Sequence, residues 1–234
     1  MTSFVGLITG ENVCYVCGGP GTKEHLFPNK AGNSRIHLID SHKELKEKIL
    51  CSTHNNNSSI YDSAVKEYAE MVQEGIRKQA SIESIPDTPE AVYEIAMWKE
   101  ITEKYFNSRC AKGFAKILLN FAVAEDQPVI DCIIARRLCD SVFKFNKDWN
   151  LKKKIVSENK ILLEVEDDMG TLPIAFVINN KAKLQTGVFI NKHTEYSYFY
   201  VNYLNIVSGF NFLYKPDSGQ NHLVNTLTTR PFPN

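Results

Sequence analysis

Apolar residues recur every three or four positions through the middle of the chain, from about Ile60 to about residue 142. This spacing places them on one face of a helix and predicts a series of amphipathic helices. The segment "SIPDTP" interrupts the series, with Thr88 as a predicted N-cap and Pro89 at the first helical position, and Pro128 opens the last helix. In chain order the periodic residues are Tyr61, Val65, Tyr68, Val72 and Ile76, then Val92, Ile95 and Tyr105, then Phe114, Ile117, Leu118 and Phe121, then Ile130, Ile134, Leu138 and Val142.

Beyond Asn150 the pattern changes to short segments rich in β-branched and aromatic residues, separated by turn-like stretches such as "DDMG", "NNK" and "NKHT". Segments of this kind predict the strands of an antiparallel meander. They are "KILLEVE", "LPIAFVIN", "LQTGVFIN", "EYSYFYVNYL" and "NIVSGFNFLY". The tyrosines of "EYSYFYVNYL" suit either a stacking surface for nucleic-acid bases or, as is more usual in an alternating strand, core and cross-strand pairs.

The first 60 or so residues are rich in Gly, Asn, Ser, Cys and His and lack a long apolar period. Such a segment has too little apolar surface for a core of its own, and domains this small usually need a staple such as a bound metal. We therefore predict an α+β protein with a stapled N-terminal module over residues 1–80, a helical region over 81–150 and a β-rich antiparallel region over 151–234. The last two regions are expected to pack together as one accessory domain.

Charge and composition exclude several classes of protein. Lys plus Arg and Asp plus Glu are equal at 27 each, so the 234-residue chain has no global field that would attract nucleic acid. Contact with DNA therefore needs a local basic patch or a protein partner. The N-terminal sequence "MTSFVGLITGENV" does not have the pattern of a secretory signal, and no apolar segment is long enough to span a bilayer. We expect a cytoplasmic protein that binds no membrane.

Two pairs of metal-ligating residues lie in the N-terminal segment. "CYVC" places Cys14 and Cys17 at the Cys-x-x-Cys spacing ahead of the turn-forming "GGPG", and "CSTH" adds Cys51 and His54 at the same spacing. Two such pairs supply the four tetrahedral ligands of a structural Zn²⁺.

Two alternatives stay open at this site. A thioredoxin-like redox pair also uses Cys-x-x-Cys, although the βαβ pattern expected after it is missing, and His37 or His42 could replace His54 as the fourth ligand. The three remaining cysteines lie in apolar, helix-like sequence and are interpreted as small buried residues.

Between the two pairs lies "TKEHLFPNKAG", in which Glu24 and His25 are adjacent, and Asn55 directly follows the last predicted zinc ligand. The order "C-x-x-C", "EHLFP", "C-x-x-H-N" resembles the zinc-stapled branch of the HNH, or ββα-metal, nucleases. This branch includes Holliday-junction resolvases of the endonuclease VII kind and HNH enzymes of phages and restriction systems. The resemblance covers residues 12–65 and implies a zinc-bound ββα-metal module, in which the zinc ligands fix the start of the helix and so the direction of Asn55.

The resemblance also implies a role for each residue. His25 would be the general base that takes a proton from the water attacking the phosphorus, a task that suits an imidazole with a pKa near working pH. Glu24 and Asn55 would hold one divalent ion, Mg²⁺ or Mn²⁺, against the phosphate and the leaving 3′ oxygen, which gives 5′-phosphate and 3′-hydroxyl ends. Asp62 is the candidate for the third signature position farther along the helix. The alternative for residues 55–57 is a plain capping cluster.

The predicted function is a metal-dependent endonuclease acting on DNA, of the restriction or anti-phage kind, targeted by its accessory region or by a protein partner. Lys23, Lys30 and Arg35 are the predicted DNA-binding residues, because their charges can meet backbone phosphates. The alternative from another class is a zinc-stapled module that binds nucleic acid or protein without catalysis. RNA is the alternative substrate.

Overall fold

The computed structural model describes residues 6–28, 46–82, 100–126, 130, 133–144, 147–157, 160–167, 170–172, 174–178, 186–190, 196–203 and 206–213. It is a mixed α and β protein with helices in the middle of the chain and small antiparallel sheets before and after them. Residues 100–105 are helical. The other described elements are β1 (Thr22–His25), β2 (Lys46–Leu50), α1 (Ser52–Ile82), α2 (Ser108–Ala124), α3 (Ile133–Phe143), β3 (Asn150–Ser157), β4 (Lys160–Asp167), β5 (Gly170–Leu172), β6 (Ala175–Ile178), β7 (Thr186–Ile190), β8 (Tyr196–Tyr203) and β9 (Ile206–Leu213).

The described strands form three antiparallel sheets. Strands β1 and β2 make a hairpin that leads directly into α1, with Glu24 opposite Glu47 and His25 opposite Lys46. The second sheet has the order β3-β4-β5, and the third has the order β6-β9-β8-β7. The predicted β-rich antiparallel C-terminal region is thus present. Within β3–β5 and within β7–β9, consecutive strands are neighbours, as in the predicted meander, whereas β6 lies beside β9.

Helices α1, α2 and α3 carry the apolar periods that predict them. Helix α1 begins at Ser52, two turns before the period becomes visible at about Ile60. The predicted helix start at Thr88, Pro89 and the opening residue Pro128 lie outside the described residues. Among the residues that the structure describes, no helix is both long and apolar enough to cross a membrane.

Helix α2 lies at the centre of the buried core. Every residue from Cys110 to Ala122 is buried, and the side chain of Asn107 caps the helix by accepting a hydrogen bond from the backbone N–H of Cys110 at 3.0 Å. Helix α1 crosses α2 closely at Gly113, where an added Cβ would overlap Val65 and the backbone of α1. The close approach explains why glycine stands in the middle of a helix, where it is otherwise unfavourable.

Helix α2 is buried on all sides yet carries polar residues at every fourth position, namely Lys112, Lys116 and Asn120. Because four residues make about one turn, these side chains share one face, which we call the polar stripe of α2. Lys112 Nζ donates to the backbone oxygen of Lys147 at 2.7 Å, and Asn120 Oδ1 accepts from the hydroxyl of Tyr15 at 3.0 Å. Buried polar groups need such partners, so the stripe specifies how α2 docks on the N-terminal segment.

Polar contacts also join the helices to the β-rich part. Arg137 of α3 donates through Nη2 to Asp167 Oδ1 at 2.8 Å and to the backbone oxygen of Gly170 at 3.0 Å. Just before β3, the indole N–H of Trp149 donates to Ser141 Oγ at 2.7 Å. The end of β4 and the start of β5 are therefore held against α3.

Candidate metal centre and catalytic site

The four predicted zinc ligands meet at one point. The thiol sulfurs of Cys14, Cys17 and Cys51 and a ring nitrogen of His54 all lie within 4.8 Å of one another. His54 Nδ1 is 3.5 Å from Cys14 Sγ and 3.1 Å from Cys51 Sγ, and the sulfurs of Cys17 and Cys51 are 3.9 Å apart. Ordinary Zn–S and Zn–N bond lengths give tetrahedral edges of about 3.6–3.8 Å. The predicted quartet is therefore confirmed as a cluster, and its geometry is compatible with a zinc site.

A tight turn aims the first two thiols at the cluster. The backbone N–H of Gly18 donates to the oxygen of Cys14, and the N–H of Cys14 donates to the oxygen of Gly19, each at 2.8 Å. Gly18 has φ +76°, in the left-handed region that favours glycine. The sequence "GGPG" thus permits the turn that places Cys17 beside Cys14.

The second pair of ligands sits at the start of α1. Burial raises the pKa of the Cys51 thiol, but hydrogen bonding from the backbone of His54 and Thr53 and from the side chains of Cys14 and Cys17 lowers it overall. Cys51 therefore caps α1 as well as offering a ligand, and its backbone oxygen accepts the first helical hydrogen bond from Asn55 at 2.9 Å. Burial lowers the pKa of His54, which favours the neutral ring that metals bind.

The structure bears on the alternatives at these positions. His37 and His42 lie outside the described residues. The Cys-x-x-Cys turn is followed by the β1–β2 hairpin rather than by a βαβ unit. Residues 55–57 lie within the first turns of α1 instead of capping it, and Asn55 is half-buried while Asn56 and Asn57 are exposed. Of the three asparagines, Asn55 is the one turned toward the rest of the protein.

Glu24 forms a buried ion pair with a residue from another helix. Glu24 Oε1 lies 2.7 Å from Lys116 Nζ, and the same nitrogen lies 2.8 Å from Asp62 Oδ2. The side chains of Lys116 and Glu24 are 1% and 6% exposed, whereas that of Asp62 is 21% exposed. The β1 strand has an irregular register just before Glu24, between Thr22 and Glu24. A bulge can redirect side chains in this way, so that Glu24 points into the protein.

His25 is half-buried next to this ion pair. Burial lowers the pKa of the His25 imidazole, and the charges of Lys46 and Lys66 lower it further, while Asp62 opposes them. Burial also lowers the pKa of Lys66, which follows Asp62 by one turn on the same face of α1. Two ammonium groups and one carboxylate thus act on the His25 ring.

The predicted catalytic residues are partly brought together. Asp62 and Glu24 share Lys116, and Asp62 acts on the pKa of His25. Asn55 precedes Asp62 by seven residues and so lies on the same face of α1, two turns earlier. Of the predicted DNA-binding residues, Lys23 is exposed on β1, and Lys30 and Arg35 lie outside the described residues.

Lys116 belongs to the site but is missing from the residues predicted for it. Its signal in the sequence is the repetition of Lys112, Lys116 and Asn120 every four residues within an otherwise apolar helix. A polar residue once per turn marks one face of a helix. Only the burial of α2 on all sides shows that this face is internal and needs partners.

Similarity to known proteins does not decide the function of this site. No protein-family model matches the chain, and no curated protein or solved structure is significantly similar to it. Any assignment of function therefore rests on the residues of the site and their geometry.

Proposed function

We propose that the N-terminal part of the chain is an HNH-type endonuclease module that hydrolyses phosphodiester bonds of DNA, with His25 as the general base. The observation that carries this proposal is the metal-ligating cluster at the start of α1. The cluster joins the turn ahead of β1 to the first turn of α1, and the hairpin with His25 lies between its two pairs of ligands. A hairpin followed directly by a helix is the order of elements that the resemblance implies.

The surroundings of His25 support a role in proton transfer. Its lowered pKa keeps the ring neutral at neutral pH, and only the neutral imidazole can accept a proton from the water that attacks the phosphorus. Lys46 and Lys66, which contribute to that shift, place positive charge near the ring. Such charge favours the approach of a phosphate group.

The divalent ion that the resemblance implies does not fit Glu24 as the structure arranges it. The Glu24 carboxylate is buried and already pairs with the ammonium of Lys116, whereas Mg²⁺ keeps several waters and needs free, accessible oxygen ligands. Of the two ligands that the resemblance implies for the divalent ion, this leaves only the amide oxygen of Asn55, near the start of α1. In this proposal Glu24 is a positioning residue that anchors β1 to α2 beside His25.

The remaining parts of the proposal concern the biological setting. We assign the module to the restriction or anti-phage kind of nuclease, directed to DNA by the helical and β-rich parts of the chain or by a protein partner. The equal numbers of acidic and basic residues support a need for such targeting, because the chain has no net positive charge that would attract nucleic acid. In this proposal Lys23, which is exposed on the strand that carries His25, contacts a backbone phosphate.

Nicking of supercoiled plasmid by zinc-loaded protein tests the proposal, in buffer with Mg²⁺ or Mn²⁺ and in the same buffer freed of divalent ions. His25→Ala should lose about 100-fold or more of the rate, the usual contribution of a general base, while its zinc content and melting temperature stay unchanged. His222→Ala, the same substitution at a position about 200 residues farther along the sequence, is the control and should keep full activity. Equal cleavage by the wild type and His25→Ala would contradict the proposal.

A second function, a zinc-stapled binding module without catalysis, is favoured by one observation. The buried charge of Glu24 is paired with the ammonium of Lys116, as expected of a carboxylate with a purely structural role. In this case the wild type and His25→Ala give the same background nicking, and gel-shift experiments with duplex DNA and single-stranded RNA show binding that both proteins share. Cleavage of RNA alone would instead identify an RNA nuclease.

A further inference from the structure

We propose that Lys116 fills the cation position at Glu24, so that Glu24 and Asp62 hold the chain's own ammonium group, whereas the resemblance implies a divalent ion held by Glu24 and Asn55. The inference rests on the proposed function for the meaning of the site, but its test needs no nucleic acid. Lys116 is a positioning residue in this arrangement, because a side chain that is 1% exposed cannot reach a bound phosphate.

The geometry shows an occupied cation site. One nitrogen, Lys116 Nζ, lies within hydrogen-bond distance of an oxygen from each carboxylate, at 2.7 Å from Glu24 and 2.8 Å from Asp62. These are the short distances of charge-assisted hydrogen bonds. The two carboxylates come from different elements, β1 and α1, and the lysine comes from α2. The ammonium therefore joins three elements and occupies the carboxylate of Glu24, one of the two ligands that the resemblance implies for a metal.

A divalent ion cannot easily displace this ammonium. Lys116 lies in the middle of α2, within a run of buried residues from Cys110 to Ala122. Its charge would have to stay in the interior without a partner, which is strongly unfavourable. A divalent ion that instead shared the carboxylates with Lys116 would stand next to a like charge in a poorly hydrated place. Both routes disfavour a metal at Glu24.

The charges that act on His25 point the same way. They are the ammonium groups of Lys46 and Lys66 and the carboxylate of Asp62. Sites for Mg²⁺ or Ca²⁺ are instead rich in carboxylate charge. Because Lys116 already pairs with Glu24, hydrolysis by this module does not use a divalent ion held by Glu24.

Binding of Mn²⁺ to zinc-loaded full-length protein, measured from the electron paramagnetic resonance signal of the free ion, tests this inference. Lys116→Met should bind Mn²⁺ at least about tenfold more tightly than the wild type, because two carboxylates then lack their cation. The gain should vanish in Lys116→Met/Asp62→Asn. Lys112→Met is the matched control, since Lys112 lies one turn earlier in the polar stripe and meets a carbonyl oxygen instead of a carboxylate; its Mn²⁺ affinity should equal that of the wild type.

The second variant, Glu24→Gln in the wild-type background, keeps the inference testable if Lys116→Met does not fold. It should leave Mn²⁺ affinity unchanged within about twofold, because Glu24 contributes no ligand while Lys116 is present. A loss of Mn²⁺ binding in Glu24→Gln would overturn the inference, as would a folded Lys116→Met without any gain. Neither measurement involves cleavage, so loss of plasmid nicking in His25→Ala, or its absence in the wild type, bears on the proposed function separately.

Discussion

Replacement of Lys116 by methionine tests how the interior is held together at the candidate site. Methionine keeps an unbranched apolar stem but removes the ammonium, which leaves Glu24 and Asp62 without their cation. Breaking a buried ion pair by removing one partner costs about 3–5 kcal/mol. Glu24 should bear most of this cost, because the side chain of Asp62 is 21% exposed and keeps part of its hydration. The loss is a large share of the stability of a typical domain, about 5–15 kcal/mol.

Two comparisons isolate the charge. Lys112→Met removes an equally buried lysine that donates to an uncharged carbonyl oxygen, so it should cost only about 1–3 kcal/mol. The double variant Glu24→Gln/Lys116→Met should be less destabilised than the sum of its two single variants by about 1–3 kcal/mol, because each change then removes the charge that the other would leave unpaired. If only the packing of the lysine stem mattered, the free-energy costs of Glu24→Gln and Lys116→Met would simply add in the double variant.

The penalty of Lys116→Met should also depend on pH, with a sign that Glu24 sets. Burial raises the pKa of Glu24 even though the charge of Lys116 opposes it. Without Lys116 that pKa rises further, so the folded state binds a proton more tightly than the unfolded state does. The stability that such a group contributes is present below its unfolded pKa and is lost as pH rises through its folded pKa. The penalty should therefore be larger at pH 7 than at pH 5.

Urea denaturation of zinc-loaded protein, followed by circular dichroism at both pH values, measures these differences in the free energy of unfolding. A cost of less than about 1 kcal/mol for Lys116→Met would refute the reasoning, because a buried carboxylate cannot lose its cation so cheaply. Equal costs for Lys116→Met and Lys112→Met at both pH values would refute it as well, since the carboxylates would then be irrelevant.

Three further predictions follow from other parts of the structure. Cys14→Ser should lose zinc and lower the melting temperature by about 10 °C or more, because a structural zinc contributes folding free energy directly. Elemental analysis and thermal melting measure both effects. An unchanged melting temperature would exclude a structural metal. Gly113→Ala should cost about 1–3 kcal/mol in the urea assay, because its Cβ overlaps Val65, whereas a gain in stability would show that the helices are not in close contact. Thiol labelling of the native protein near neutral pH should spare Cys110 and Cys139. Burial raises the pKa of both thiols, that of Cys139 to about 12, and the thiolate is the reactive form. Rapid labelling of either cysteine, located by peptide mass spectrometry, would contradict their burial.

The zinc quartet and the middle helices were predictable because their signals are local. A Cys-x-x-Cys turn directs two thiols at one point whatever surrounds it, and the thiols of Cys14 and Cys17 lie close together here. The apolar periods of α2 and α3 likewise depend on neighbours within one or two turns. The place of β6 beside β9 is not local, because it depends on which of several similar strands closes the sheet.

The start of α1 shows a local signal that misleads. Asparagines at 55–57 and serines at 58 and 59 have low helix propensity, and the apolar period becomes visible only at about Ile60. Both signals predict a helix that starts later than α1 does. The helix nevertheless begins at Ser52, because the thiol of Cys51 caps it, and His54 in its first turn belongs to the Cys/His cluster that is compatible with a zinc site. Ser58 Oγ also donates to the backbone oxygen of Asn55 at 3.0 Å, so its hydroxyl is satisfied within the helix. Capping and ligation together override weak propensity.

Lys116 could not have been placed at the site from the sequence, and the reason is physical. Lysine is almost always exposed, so a lysine on an amphipathic helix predicts a solvated face. Here the face is internal, because Tyr15 donates to Asn120 and Glu24 pairs with Lys116. Tyr15 follows Cys14 of the Cys/His cluster and Glu24 precedes His25, so successive turns of α2 hold the turn with Cys14 and the strand with the proposed base. A change in the polar stripe of α2 should therefore disturb both at once, although the stripe lies about 90 to 105 residues away from them in the chain.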